Sequence, residues 1–386
     1  MIATETAPSI FASADPLLRP GMLIPAPERE PMPFPLDDPR TRFFYYARNG
    51  IFRMVPVLGL VDEEVLFPSY FHGVELEALL TGRARPRFYP VRAGMRVDPA
   101  DVIARITPET RAVYLIHYAG FPGPVEELAR ICRDRGLLLI EDCALSLLSR
   151  LGDRPLGSFG DASVFCIYKS LPTPNGGAVF LRSVDPAKLP TPPDSSRTSG
   201  VSLASFSLLR GMEMRGGAPG RLLHKGVRQI GRSVAHASGA SYVLTGTQFF
   251  DPAATSLAMN QLSMRIMRRQ NFTETIARRR RNYARLGDRL ADIAPSVLGP
   301  LRAGTCPLFY PIAIPDKRGA QIELARRGVE TVNFWEMHHS TLPLGEYPEA
   351  DGLRRAVLEL PCHQDLDDCA IDRVAAAVRD VLRLRG

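Results

Sequence analysis

"RAVYLIHYAGFPGPVEELARICRDRGLLLIEDCA" (Arg111–Ala144) contains a strand-like run, an amphipathic helix and a second strand-like run in direct succession. "RAVYLIHYAG" reads as a strand, "PVEELARICRDRG" as a helix that ends at Gly136, and "LLLIEDCA" as a strand. The uniformly apolar "LLLI" suits a central strand of a parallel sheet with both faces covered. A strand, a helix and a strand at this spacing predict a right-handed crossover and a largely parallel sheet.

The alternation extends outward from that unit. "EEVLFPSY", "RPRFYPV" and "SVFCIY" are strand-like, and "GVELEALLTG" and "DPADVIARI" are helical, so strands and helices alternate from Arg42 to about Val184. Residues 256–290 read as one long helix. "CPLFYPIAIP" and "VETVNF" then read as strands, "RGAQIELARRG" as a helix, and "LDDCAIDRVAAAVRDVLRLR" as a closing amphipathic helix. The predicted fold class is α/β. Residues 1–38 form a Pro-rich arm or disordered lead-in, and 39–255 a large domain that includes an irregular 185–250 loop region. Residues 256–386 form a long helix and a small C-terminal α/β domain.

Composition narrows the function. Of 48 basic residues only four are lysine (Lys169, Lys188, Lys225, Lys317), and the net charge is +7. Arginine keeps its proton, whereas a desolvated lysine serves as an amine nucleophile, which singles out Lys169 after the apolar "SVFCIY". No helix-turn-helix, zinc-finger or aromatic RNA-binding signature accompanies the basic run "ARRRRNYARLGDRL", so no nucleic-acid partner is predicted. No 18-residue apolar stretch implies a membrane span, and the N-terminus lacks a secretory pattern. The six cysteines form no CxxC pair or metal-ligand spacing, which fits a reducing cytoplasm and no metal.

In an open parallel sheet, ligands gather beyond the carboxyl ends of the strands. Asp142 ends "LLLIED" and Lys169 follows "SVFCIY", so parallel strands would bring both to one rim. A carboxylate and a lysine there suit pyridoxal phosphate (PLP): the lysine forms an imine and the carboxylate keeps the pyridine nitrogen protonated. A structural ion pair at a strand end is the alternative reading of the spacing.

The ordered motifs resemble the DegT family of sugar-nucleotide aminotransferases, which are fold-type-I PLP enzymes. The resemblance is carried by the Arg111–Ala144 stretch, by "GSFGDASVFCIYK" followed by "NGGAVFL", by "PSYFHG", and by "LPCHQDLDDCAIDRVAAAV". It runs from about Arg42 to the end, with 185–250 fitting poorly. It implies that Lys169 is the Schiff-base lysine and catalytic proton shuttle, that Asp142 partners the pyridine nitrogen, and that Phe71 or His72 stacks on the ring. It further implies that the "ARNG" turn (Arg48, Asn49, Gly50) opening a helix cradles the phosphate, and that Cys166 aligns with a serine phosphate ligand. The family's Gln or His after the aspartate is Leu145 here, and its Asn-Tyr-Arg stretch is replaced near "QFFDPAA".

The implied protein is a cytoplasmic homodimeric aminotransferase. It would take an amino group from a donor such as glutamate to a ketone on a nucleotide-linked sugar. Leu145 motivates a second reading, a PLP-dependent dehydratase or eliminase, and a non-catalytic relative is a third. The basic stretch Arg197, Arg210, Arg215, Arg221, Lys225, Arg228 and Arg232 is a candidate diphosphate site. His117 reads as a structural histidine or a family site histidine, and Trp335, His338 and His339 as substrate contacts or packing.

Overall fold

The computed structural model describes residues 10–192, 204–205, 207–211, 214 and 250–384. Its large domain opens with β1 (Thr41–Phe44), α1 (Ala47–Val57), β2 (Glu64–Pro68), α2 (Val74–Thr81) and β3 (Arg85–Tyr89). It continues with α3 (Pro99–Ile103), β4 (Thr110–Ile116), α4 (Val125–Arg135) and β5 (Leu138–Cys143). A short hairpin, β6 (Arg150–Leu151) and β7 (Arg154–Pro155), precedes β8 (Ala162–Cys166), the single turn α5 (Ile167–Ser170), and β9 (Gly177–Leu181).

Seven strands form one sheet in the order β1-β9-β8-β5-β4-β2-β3. The five from β8 to β3 are parallel, and β9 and β1 close that edge antiparallel. The crossover from β4 to β5 through α4 follows from the sequence. Val125, Leu128, Ile131 and Cys132 recur at helical spacing and are buried, and Gly136 ends the helix in the left-handed conformation at φ 66°. Ala112–Ile116 and Leu138–Asp142 then lie side by side in register, covered on both faces.

A second apolar core lies under a two-stranded antiparallel sheet, β10 (Phe309–Ala313) and β11 (Val357–Pro361). The helices Lys317–Arg326, Asp368–Arg383 and Phe272–Leu290 cover it. The long helix read over 256–290 is two helices, Gln261–Arg268 and Phe272–Leu290. Asn260 caps the first through Leu262 N–H, and Asn271 caps the second through Glu274 N–H, so an asparagine side chain starts each. "VETVNF" makes isolated bridges rather than a strand: Val329 pairs with Ala12 and Val332 with Glu359.

From residue 10 onward the lead-in is an ordered arm across this sheet edge. Phe11 and Ala12 donate to Gly328 O, Glu330 N–H donates to Ala12 O, and Leu17 N–H donates to Asp365. The arm thus pairs with the 328–330 segment, which itself bridges β11 through Val332 and Glu359. Of the candidate diphosphate stretch, Arg210 pairs with Glu330 of the small domain, and Arg197, Arg215, Arg221, Lys225, Arg228 and Arg232 lie outside the described residues.

Candidate functional site

Asp142 closes β5, and its neighbour β8 runs parallel with Asp142 opposite Val164. The chain leaves β8 at Cys166 and turns once through α5, so Lys169 stands on that turn rather than at the strand end. Both groups therefore sit beyond the carboxyl ends of adjacent parallel strands, at the rim where such sheets bind ligands.

Asp142 is 5% exposed and fixed at both oxygens. Tyr114 OH donates to Oδ2 at 2.7 Å and Ala144 N–H donates to Oδ1 at 2.8 Å. Burial pushes its pKa up to about 6; Glu75 adds to the rise, while the Ala144 amide, Tyr114 and Lys169 oppose it. Lys169 is half-buried and makes no hydrogen bond or ion pair among the described residues. Its charge is felt by Asp142, Glu75, His72, Cys166, Asp15 and Glu359. An amine ringed by carboxyls yet bonded to none is poised for an added partner.

The loop between β2 and α2 supplies the ring. Phe71 is 1% exposed and packs into the core, stacked on Phe88 with centroids 5.8 Å apart. The core thus occupies Phe71, and His72 is the ring left beside Lys169. Burial lowers the His72 pKa to about 4, helped by Lys169 and Arg48, so the imidazole is neutral near pH 7. Glu75 accepts the His72 N–H at 2.7 Å and holds the loop. Neither Tyr114 nor Glu75 was singled out from sequence; each belongs to an ordinary strand or helix pattern.

Arg48, Asn49 and Gly50 lie inside α1, not in a turn before it, because the helix begins at Ala47. Asn49 N–H is committed to Tyr46 O at 3.1 Å. Gly50 has a packing role: a Cβ there would lie 2.5 Å from Val179 Cγ2. The glycine that brings this helix end into the site is Gly177, where a Cβ would stand 2.1 Å from Ala47 N. Arg48 sits over the Tyr46 ring at 4.4 Å.

Cys166 and Leu145 are 3% and 2% exposed core residues. Burial pushes the Cys166 thiol up. His117 is a latch: its Nε2 meets Glu141 at 3.1 Å while its Nδ1 accepts Gly123 N–H. Glu141 also accepts Gly157, Phe159 and Gly160 N–H. Cys143 lies near this pair, yet the two residues spend their ligand atoms on one another and on backbone, which leaves no donor set for a metal. His339 bonds Glu77 and Thr341, and Trp335 stacks on Phe334 and touches Tyr70, one residue from the Phe71–His72 loop.

The groups present fit pyridoxal phosphate: an unbonded lysine, a buried carboxylate at the strand end beside it, a neutral ring, and a helix N-terminus laid on a glycine. The DegT/DnrJ/EryC1/StrS aminotransferase family model matches residues 53–191, which include His72, Asp142 and Lys169. Over those residues the chain resembles that family. It is 28% identical to dTDP-4-dehydro-2,3,6-trideoxy-D-glucose 4-aminotransferase of Saccharopolyspora spinosa, over 88% of this chain and 84% of that protein. It is 26% identical to dTDP-3-amino-3,4,6-trideoxy-alpha-D-glucose transaminase of Micromonospora megalomicea, over 83% and 79% of the two chains. The fold matches the crystal structure of the aminotransferase TlmJ from Streptoalloteichus hindustanus, with a TM-score of 0.62, 24% identity, and 90% and 86% of the chains covered. Within the DegT/DnrJ/EryC1/StrS frame, Leu145 and Cys166 are the departures in the site, and both side chains pack as core.

Proposed function

We propose that this protein is a PLP-dependent aminotransferase that moves an amino group from an amino acid, glutamate in the first instance, to a keto group of a nucleotide-linked sugar. The observation that carries the reading is Lys169, half-buried, without an acceptor among the described residues, on the turn after the strand next to the one that carries the Asp142 carboxyl. The activities named for the two dTDP-sugar relatives support the substrate class and do not favour elimination. The resemblance to that family supports a homodimer, and among the described residues no helix is long and apolar enough to cross a membrane.

Lys169 Nζ would hold the cofactor covalently, Asp142 its ring nitrogen, His72 its face, and the N-terminus of α1 its phosphate. When bound, the cofactor supplies a ring that withdraws electrons from the amine-bearing carbon. Lys169 Nζ would be the base that takes and returns the proton at that carbon. Asp142, held by Tyr114 and Ala144, keeps the ring nitrogen charged.

The test is the absorbance of purified protein with added PLP, followed by amine transfer from glutamate to a dTDP-4-keto-sugar. A yellow band in the wild type that Lys169→Ala abolishes is expected, with 2-oxoglutarate released on turnover. No band in the wild type, or one that persists in K169A, overturns the assignment.

A further inference from the structure

The loop that leaves β2 at its carboxyl end, Ser69 to His72, has its backbone groups tied down from several sides. Ser69 N–H donates to Tyr89 O and His72 N–H to Glu75 Oε1. Tyr118 OH donates to Tyr70 O at 2.7 Å. The carbonyls of Ser69 and Phe71 go to a single side chain, Arg354 of the helix Pro348–Ala356. Its Nη2 donates to Ser69 O at 2.7 Å and its Nη1 to Phe71 O at 3.1 Å. Nη1 also donates to Trp335 O at 3.3 Å.

Arg354 is 3% exposed, and among the described residues its hydrogen bonds go to main-chain carbonyls rather than to a carboxylate. Its Cζ lies 5.4 Å from the Tyr70 ring centroid and 5.1 Å from that of Phe71. A buried cation is costly, and what a planar fork returns is fixed geometry at several acceptors together. One of those acceptors is itself strained. Trp335 has φ 44°, a left-handed conformation unfavourable for a bulky residue, and is packed against Phe334 and Tyr70.

The clamped loop opens on the rim of the site, because β2 runs parallel to β4 and β4 to β5. The contacts are continuous: the Phe71 ring lies 5.3 Å from Phe67, Phe67 lies 4.8 Å from Tyr114, and Tyr114 OH donates to Asp142 Oδ2.

We propose that Arg354 is a positioning residue of the site: it holds the Ser69–His72 loop against Trp335 and so sets the His72 ring for the face of the cofactor. This rests on the reading that Lys169 holds PLP and His72 covers its ring. It makes the chain from Trp335 to Arg354 a support for the cofactor that the reacting groups do not touch.

The experiment titrates PLP into folded Arg354→Met and Arg354→Lys, each alone and combined with His72→Ala. R354M weakens PLP binding about tenfold, and R354K, which keeps the charge without the fork, about threefold. In the H72A background the same substitutions change affinity by less than about twofold, because the ring they position is gone. Unchanged affinity in folded R354M, or equal losses with and without His72, overturn the proposal. Amide hydrogen exchange of the unmutated protein gives a second measurement that a folding failure cannot remove. Bound PLP slows exchange in the helix Pro348–Ala356 together with residues 69–72, and protection of the loop without the helix, or of neither, overturns the coupling. Wild-type protein that binds no PLP defeats the aminotransferase reading. The clamp is then decided in cofactor-free protein, where R354K quickens exchange of the His72 amide about tenfold and an unchanged rate overturns it.

Discussion

Arg279, on the helix Phe272–Leu290, donates through Nη2 to the carbonyl oxygen of Ser170 at 3.0 Å, and Ser170 directly follows Lys169. The same guanidinium reaches Gln364 Oε1 and the carbonyls of Pro307 and Leu308, and Gln364 Nε2 returns to Ser170 O at 3.0 Å. At 1% exposure, Arg279 makes the backbone beside the proposed anchor lysine a shared part of both domains. A planar fork with several fixed donors suits that task, and a lysine's point charge does not.

Arg279→Met should therefore destabilise the protein by about 3 kcal/mol or more, because the carbonyls of Pro307 and Leu308 and the amide oxygen of Gln364 lose their arginine donor in the interior while Ser170 O keeps only Gln364. Arg279→Lys recovers only a minor part. Urea unfolding measures the stability, and PLP titration of the folded variants shows whether the α5 turn has shifted. Wild-type stability in R279M would show that the clamp has no energetic role.

Asp142 gives a pH signature in the cofactor-free protein. Its folded pKa is raised from 3.8 to about 6, so the folded state holds the proton more tightly than the unfolded chain. Stability contributed by this group is thus present at low pH and lost as pH rises from about 4 to about 6. Asp142→Asn removes the loss: near pH 7 the cofactor-free variant should be more stable by roughly 2 kcal/mol, converging with wild type near pH 4. Denaturation at a series of pH values decides it. With cofactor and substrates, D142N should slow amine transfer by about 100-fold or more, since an amide cannot hold the ring nitrogen charged.

His72 has the opposite slope. Its folded pKa, about 4, lies below the usual 6.5, so its contribution to stability is lost as pH falls between those values. Phenylalanine at this position should flatten that acid-side loss and keep the stacking face, holding PLP affinity within about threefold, whereas alanine should weaken it about tenfold. Equal PLP affinity in H72A and wild type would remove His72 from the site.

Glu359 in β11 is wholly buried, and among the described residues neither carboxyl oxygen has a hydrogen-bond partner. Burial raises its pKa well above the usual carboxylate value. Removing a polar group that is unsatisfied in the interior, at similar volume, relieves a desolvation cost. Glu359→Met should stabilise the protein by about 1–2 kcal/mol, seen as a higher midpoint in urea. A destabilised E359M would indicate that a bound partner satisfies the carboxyl.

Legibility followed the range of the interactions. The crossover β4–α4–β5 was readable because its periodicity, its Gly136 stop and its apolar run are local. Lys169 and Asp142 were readable because each follows an apolar strand and lysine is scarce in this chain. The break at 269–271 was also written locally, as Asn271 followed three residues later by Glu274, but it was hidden inside a continuous helical pattern. "VETVNF" misled because its alternation matches a strand while its pairing depends on Ala12, more than 300 residues away. The arm at 10–19 had no periodicity to read, and the edge it covers exists only after the small domain has formed.

By itself the sequence determined the α/β order of elements, the lysine and the aspartate that face one rim, and the family motifs the chain resembles. Those properties reside in short-range patterning and residue chemistry. The tertiary structure decided the rest: that Phe71 packs into the core, that Gly177 rather than Gly50 admits the end of α1, and that burial, with Glu75 and Tyr114, acts on the charge of Asp142. Each of those assignments depends on which side chains from distant segments share one buried space, and burial and charge coupling have no counterpart in linear spacing.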